Sequence, residues 1–174
     1  WVLLYTLDIL DAPRVAKRAL ESTRGMPETV LFARCDDWMR RDMLRYLSDE
    51  ARSAVRMHQR NGDLVAIATG ATLPSALPVA RELGIEHIIA TELEVRDGRL
   101  TGKAIEPLAY GDGKLKKAKY LLDQYGIHLQ DTTFYSDSAT DLPLLMAVGQ
   151  PVAVNPDPKL SRMAKTRGWP IQRW

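Results

Sequence analysis

The spacing of hydrophobic residues divides the chain into two parts of different character. From Asp11 to about Arg60, apolar residues recur every three or four positions, as in amphipathic helices, and no alternating strand pattern interrupts them. Three or four short helices are expected here, one of which should begin after Ser48 and end at Asn61. Residues 1–61 are therefore predicted to form an all-helical unit.

Apolar residues in the second part, from residue 62 onward, cluster instead into short runs of the kind that form buried parallel strands. Helical patterns separate these runs, and the Asp97-Gly98 pair predicts a hairpin turn within residues 93–100. The predicted strands are 64–68, 87–90, 132–135 and 151–154. Alternating strands and helices predict an α/β core over residues 62–174, with a Rossmann-like, mostly parallel sheet and helices on both faces.

Two acidic residues stand close together where one predicted strand meets the next helix. Asp137 follows the strand and Asp141 comes four residues later, at a helix start, and side chains four apart on a helix share a face. Carboxylates held together at the mouth of a parallel sheet repel each other and are stabilised by a hard cation such as Mg²⁺, which prefers oxygen ligands. The alternative is that Asp137 merely ends the strand and Asp141 caps the helix, a common use of aspartate.

Two further motifs suit the binding of a phosphoryl group. Thr69 and Gly70 directly follow the first predicted strand of the core, where a hydroxyl and the free N–H groups of a turn can hold a phosphoryl oxygen. A flexible approach from Gly111 to Gly113 delivers Lys114 to the first turn of a helix, where its ammonium can neutralise a phosphate or an anionic nucleophile. The alternatives are ordinary turn chemistry for the first motif and, for Lys114, a solvated helix face shared with neighbouring lysines.

These residues resemble three motifs of the haloacid dehalogenase-like (HAD) hydrolases, in the same order along the chain, and the resemblance is closest to the phosphoserine phosphatase-like branch. Motif two is matched by Thr69-Gly70, motif three by Lys114, and motif four by Asp137 with Asp141. The resemblance implies that Thr69 and Gly70 bind the transferring phosphoryl group, that Lys114 neutralises it, and that Asp137 binds Mg²⁺. For Asp141 the resemblance implies one of two roles, either to bind the water shell of the metal or to orient Lys114. All four side chains, Thr69, Lys114, Asp137 and Asp141, are thereby implied to be catalytic.

The function that the resemblance implies is Mg²⁺-dependent hydrolysis of a small phosphomonoester, with residues 1–61 as a helical cap over the substrate. Motif four departs from the phosphoserine phosphatase pattern, in which glycines flank the first aspartate and asparagine precedes the second. Ser136, Ser138 and Thr140 stand in those places here. This departure weakens the case for phosphoserine as the substrate and leaves the metal site unaffected.

Motif one of the family, an Asp-x-Asp that supplies the nucleophile for an aspartyl-phosphate intermediate, has no match in the chain. Asp8 and Asp11 are the early acidic residues, and their spacing inside a helix-like segment is wrong for it. We expect the nucleophile, and with it the central first strand of the sheet, upstream of Trp1. Residues 1–174 alone are then expected to be inactive, whether the chain is a fragment or a natural short product.

Charge and cysteine content narrow the function classes further. The 24 basic and 22 acidic residues are spread along the 174 positions, a net charge of +2, which leaves no electrostatic footprint for nucleic acid or anionic membrane. No apolar run approaches the length of a membrane span, and Cys35 has no cysteine partner, so a cytoplasmic protein is expected. The alternatives to hydrolysis are a non-catalytic binding or regulatory remnant, a phosphotransferase to an acceptor other than water, and a lipid-phosphate phosphatase.

Overall fold

The computed structural model describes residues 18–174, so the predictions for Asp8, Asp11 and the segment around them lie outside the described residues. Residues 18–61 are mainly helical. Their elements are a helical turn at 18–21, α1 at Glu28–Trp38, a π-helical turn at Met39–Met43, a 3₁₀ turn at Leu44–Tyr46 and α2 at Asp49–Arg60. α2 begins where the sequence predicts, because the Ser48 hydroxyl accepts a hydrogen bond of 3.1 Å from the Ala51 N–H.

The chain alternates strands and helices from residue 66 onward, as predicted. The strands are β1 at Ala66–Thr72, β2 at His87–Thr91, β3 at Leu93–Arg96, β4 at Arg99–Ala104, β5 at Thr133–Ser136, β6 at Gln150–Val154 and β7 at Ile171–Gln172. The helices are α3 at Leu73–Leu83, α4 at Asp112–Gln124, α5 at Leu142–Ala147 and α6 at Pro158–Arg167. Two 3₁₀ turns, Leu129–Asp131 and Ala139–Asp141, precede β5 and α5.

The parallel strands form two separate groups. β1 pairs with β2, and β5, β6 and β7 pair in that order, with every pairing in both groups parallel. Within residues 18–174, no strand is hydrogen-bonded to both β1 and β5. The mixed α/β class with parallel pairing that the sequence predicts is confirmed. The edges of β1 and β5 that face away from their partners are not paired with any strand in the described part of the chain.

The predicted hairpin is present and also anchors the helical part. β3 and β4 pair antiparallel around Asp97 and Gly98, whose φ angles of 49° and 71° are the left-handed values that a tight hairpin turn requires. The N–H of Gly25 donates to the Leu100 carbonyl at 2.8 Å, and the Leu100 N–H donates to the Met26 carbonyl at 2.9 Å. The segment that enters α1 therefore runs along β4, and α1 itself packs against α3.

Buried apolar side chains form two clusters that share one strand. The first joins β2, α4 and α5, and the second joins α5, β6 and α6. Phe134 of β5 packs against both clusters. Because alternate residues of a strand point to the same face, Ser136 lies on the same face of β5 as Phe134, towards α5. The carboxyl end of β5 is thus held by the core on the side where the candidate chemistry lies.

The largest differences from prediction are the bounds of β1 and the presence of β7. β1 was expected to end at Ala68, but it continues to Thr72, with a break in register between Ala68 and Thr72 where the pairing with β2 bulges. The prediction that Thr69 and Gly70 follow the strand is therefore wrong, since both lie within its irregular end. β7, only two residues long, has no apolar run that could have predicted it.

Candidate active site

The most deeply buried charges in the described part of the chain are Lys114 and Asp141. Their side chains are only 6% and 9% exposed, and the Lys114 ammonium donates to Oδ1 of Asp141. An ammonium and a carboxylate taken out of water in this way require each other, since either one left alone would be an uncompensated buried charge. Lys114 is therefore not part of a solvated lysine face, and that alternative is wrong.

Lys114 is brought to this position by a close approach between α4 and the loop before it. A β-carbon on Gly113 would lie 2.0 Å from the carbonyl oxygen of Leu108 and 3.2 Å from its carbonyl carbon, distances that no side chain permits. Only glycine allows the first turn of α4 to contact the loop so closely. Gly111 to Gly113 were expected to supply flexibility. Gly113 instead supplies tight packing that places the next residue, Lys114.

Asp141 is held from the other side by Ser136. The Ser136 hydroxyl donates to Oδ2 of Asp141 at 2.8 Å, so each carboxylate oxygen accepts from a buried donor. The Asp141 side chain makes no capping hydrogen bond at the start of α5, which excludes the simple helix-cap alternative. The prediction that Asp137 and Asp141 share a helix face is wrong, since Asp137 precedes the 3₁₀ turn and α5 begins after Asp141.

Asp137 lies just beyond β5 in the loop that leads to the 3₁₀ turn, and it is exposed. Among residues 18–174 its carboxylate has no hydrogen-bond or ion-pair partner, whereas its backbone carbonyl accepts a hydrogen bond of 2.8 Å from the Asp157 N–H. The loop is thus fixed through its backbone while the carboxylate stays free. A free carboxylate that directly follows Ser136, the residue that donates to the buried ion pair, suits a cation ligand.

Thr69 and Gly70 form part of the bulged end of β1. The Thr69 hydroxyl accepts a hydrogen bond of 3.1 Å from the Ala71 N–H, which is the local pattern of a turn. Thr69 is half-buried and Gly70 is exposed. No hydrogen bond links Thr69 to Lys114, Asp137 or Asp141 in the described residues, so the structure places Thr69 at the carboxyl end of its strand without joining it to the ion pair.

Thr91, at the end of β2, connects the Gly70 segment to the loop before α4. Its buried hydroxyl donates to the Gly70 carbonyl at 3.2 Å and accepts from the buried Ala109 N–H at 3.2 Å. Ala109 follows Leu108, the residue on which Gly113 packs. The same hydroxyl therefore fixes the backbone of both segments on which phosphate binding was predicted.

A second link ties α2 to β5. The Tyr135 hydroxyl lies 3.0 Å from Nε2 of His58, whose Nδ1 lies 2.8 Å from a carboxylate oxygen of Asp63. Burial raises the pKa of Tyr135, because removal from water disfavours the tyrosinate. The phenol therefore stays neutral at physiological pH and joins the helical part to the strand that ends in Ser136.

Sequence analysis did not assign a structural role to three residues that hold this arrangement together: Thr91, Ser136 and Asp157. Asp157 is the residue with a recognisable signal, since an aspartate directly before Pro158 at a helix start is a capping pattern. Asn155, which follows β6, binds the backbone of Trp174 through both atoms of its amide. The candidate site therefore centres on the ends of β5 and β1 and the start of α4.

A comparison with protein families settles which one the chain represents. The sequence profile of the haloacid dehalogenase-like hydrolases matches residues 1–146, which is most of the chain. The chain belongs to the HAD-like hydrolase family. The resemblance that the motifs carry is thereby confirmed, and the HAD assignment agrees with the parallel α/β architecture.

Relatives within the HAD family carry phosphatase names. The chain is 39% identical over 139 residues to a histidinol-phosphatase of Neisseria meningitidis, covering 78% of this chain and 63% of that protein. It is 36% identical over 124 residues to the phosphoserine phosphatase SerB1 of Mycobacterium tuberculosis, covering 71% of this chain and 40% of that protein. The chain thus matches less than two thirds of the length of either relative.

A solved structure of a protein of unknown function from Bordetella pertussis has the same fold. It superposes with a TM-score of 0.88 at 35% identity, covering 98% of this chain and 78% of that one. Near-complete coverage of the present HAD chain means that its helical part and its α/β part both have counterparts there. In residues 18–174 we find no helix that is both long and apolar enough to cross a membrane.

Proposed function

We propose that this HAD protein is a Mg²⁺-dependent phosphatase that hydrolyses a small phosphorylated metabolite. The observation that carries the proposal is the buried ion pair of Lys114 and Asp141, completed by Ser136, with the free carboxylate of Asp137 on the residue that follows Ser136. The phosphatase names of its relatives support the same reaction. A location in the cytoplasm, a reducing compartment, is part of the proposal and rests on the single Cys35.

Asp137 is the residue proposed to hold the cation. Mg²⁺ is commonly bound by one or two carboxylates, with waters and substrate phosphate oxygens completing its shell, so a dedicated cage of several acids is not needed. The described residues form no cluster of three or more His, Cys, Asp or Glu side chains, so the protein's contribution to the shell is proposed to be the two free oxygens of Asp137. The metal would neutralise the negative charge of the phosphoryl oxygens.

Lys114 is proposed to neutralise the transferring phosphoryl group. Its position is fixed by Asp141, so the charge is aimed before substrate arrives and little reorganisation is needed during reaction. The Thr69 hydroxyl and the backbone at Gly70 are proposed to hold phosphoryl oxygens. This requires the Thr69 hydroxyl, which now accepts from Ala71, to donate its own hydrogen to the substrate, which a hydroxyl can do while still accepting.

The nucleophile is proposed to be an aspartate that forms an aspartyl-phosphate, which water then hydrolyses. No described residue has been placed in this role. The strand pairing supports a nucleophile on a further strand, since β1 and β5 each have an edge to which another parallel strand could bind. The carboxyl end of such a strand would lie between Thr69 and Asp137. We therefore assign the nucleophile to a strand from outside residues 18–174.

Residues 18–61 are proposed to act as a cap that excludes water and selects the leaving group. They are attached to the core along β4, against α3 and through the contact of His58 with Tyr135. α1 also reaches the start of α3, where the Cys35 thiol lies 3.7 Å from the Ser75 hydroxyl, and Ser75 lies 3.2 Å from the Thr72 hydroxyl. The helical part thus contacts the segment that directly follows Thr69 and Gly70, as a specificity element should.

Replacing Asp137 with asparagine in the full-length protein tests the proposal. It should reduce Mg²⁺-dependent phosphate release at least about 100-fold, because a charged ligand is lost from a hard-cation site. Phosphoserine and histidinol phosphate are the substrates to assay, since relatives are named for them, together with a generic aryl phosphate. Asp131→Asn, an exposed carboxylate in the turn before β5, is the matched control and should leave activity unchanged.

Turnover retained in Asp137→Asn would contradict the metal assignment. Phosphate transferred to an added alcohol in preference to water would favour a phosphotransferase instead, and cation binding without any turnover would favour a non-catalytic binding protein.

A further inference from the structure

Asp157 bridges two segments at the carboxyl ends of neighbouring strands. It follows β6 and caps α6, where its Oδ1 accepts a hydrogen bond of 2.7 Å from the Leu160 N–H. Its Oδ2 accepts a second hydrogen bond, of 2.6 Å, from the N–H of Ala139. Only the first of these bonds is needed for a helix cap.

The backbone of Asp157 makes a further contact with the same loop. Its N–H donates to the carbonyl of Asp137 at 2.8 Å. Asp157 therefore binds both ends of the loop formed by residues 137–139, one end through the Asp137 carbonyl and the other through the Ala139 N–H. The free carboxylate of Asp137 belongs to this fixed loop. The loop has no other side-chain hydrogen bond from β6 or α6 among the described residues.

From these contacts we infer that Asp157 is a positioning residue for cation binding, which fixes the loop so that the Asp137 carboxylate is preset for the metal. This inference rests on the proposed function, because it assigns Asp157 a part in the same metal site. Asp157 is assigned a positioning part because each of its carboxylate oxygens is already directed at a backbone N–H group, whereas the carboxylate of Asp137 makes no such bond. Groups that orient a metal ligand typically change metal affinity by about 10- to 100-fold when they are replaced.

Asp157→Ser separates the two uses of the carboxylate. Serine is also a preferred N-cap residue, so its hydroxyl can keep the bond to the Leu160 N–H, but it has one oxygen and cannot also reach Ala139. Asp157→Asn is the second variant, since its amide keeps the length and offers one acceptor in place of two. Ser48→Ala, which removes the cap of α2 and makes no hydrogen bond to this loop, controls for a loss of cap stability.

The measurements are Mg²⁺ binding by calorimetry, amide hydrogen exchange at Ala139 and thermal unfolding, all on the full-length protein. We expect Asp157→Ser to weaken Mg²⁺ binding about tenfold and to speed exchange at Ala139, with a melting temperature no lower than that of Ser48→Ala. Asp157→Asn should show the same changes to a lesser extent. Ser48→Ala should bind Mg²⁺ as the wild type does.

Three outcomes would overturn the inference. Unchanged Mg²⁺ affinity in Asp157→Ser, with Mg²⁺ binding abolished in Asp137→Asn, would refute the role of Asp157 and leave the proposed function standing. Weaker binding with normal Ala139 protection would mean that Asp157 acts through its charge and not by holding the loop. A wild-type protein that binds no Mg²⁺ would refute both the proposed metal site and the inference.

Discussion

Replacing Lys114 with methionine removes one charge from a buried ion pair while keeping a flexible side chain of similar length. The Asp141 side chain, which is only 9% exposed, would then be left with the Ser136 hydroxyl as its remaining donor among the described residues. Removal of one partner of a buried pair costs about 3–5 kcal/mol, and we expect the lower end of this range because Ser136 still satisfies one oxygen. The free energy of unfolding should therefore fall by about 3 kcal/mol.

The second half of this prediction concerns the double variant. Asp141→Asn alone leaves the Lys114 ammonium buried without its carboxylate, so it should also be strongly destabilised. Combining the two changes removes both charges and leaves an amide that can still accept from Ser136. The double variant should recover much of the lost stability, a coupling between the two sites of about 2 kcal/mol or more.

Activity should follow a different pattern from stability. Phosphate release should fall at least about 100-fold in both single variants and stay low in the double variant. Lys114→Met and the double variant lack the charge aimed at the phosphoryl group, and Asp141→Asn leaves that charge without the carboxylate that positions it. Urea denaturation gives the stabilities, and turnover at saturating substrate gives the activities. Lys116→Met, an exposed lysine two residues along the same helix, is the matched control and should change neither.

Two results would refute this reasoning. A Lys114→Met protein within about 0.5 kcal/mol of wild-type stability would mean that the pair is not buried as described, since that is the range of ordinary surface substitutions. A change in KM with unaltered kcat would mean that Lys114 binds substrate without stabilising the transition state.

Two further predictions concern the backbone that supports Lys114. Gly113→Ala should lower the free energy of unfolding by about 3 kcal/mol, because the new methyl group would lie 2.0 Å from the Leu108 carbonyl oxygen; Gly70→Ala, whose methyl would meet nothing closer than 3.7 Å, is the control for chemical denaturation. Thr91→Val should cost about 1–3 kcal/mol by leaving the buried Ala109 N–H without an acceptor, and Thr91→Ser should restore most of it. Equal stability of Gly113→Ala and Gly70→Ala, or of the valine and serine variants, would contradict the respective argument.

The sequence predicts the order of strands and helices well because each buried strand needs a continuous apolar run. The apolar runs that form β2, β5 and β6 predict these strands, and the predicted bounds lie within one residue of those observed. β1 fails at its end, where Thr69 to Thr72 carry no apolar pattern and the pairing is held by the backbone. Periodicity reports side chains, so a strand end without apolar side chains cannot be predicted from it.

The sequence names Lys114 and Asp141 as candidates, but it does not predict how they are arranged or which residues support them. Lys114 looks like any member of a lysine-rich segment, and its burial follows from its position one helical turn before Ala118 on the apolar stripe of α4. That signal was available in the sequence. The link through Asp157 was not, because it joins residues 18 positions apart in the chain whose contact depends on the pairing of β5 with β6.

The central claim, that the protein is a Mg²⁺-dependent phosphatase, is tested most directly by measuring phosphate release from an aryl phosphate by the full-length protein, with Mg²⁺ and after its removal by chelation. The account predicts turnover with Mg²⁺, loss of turnover in the chelator and recovery when Mg²⁺ is returned in excess. Turnover by the full-length protein that is unaffected by chelation would contradict the account.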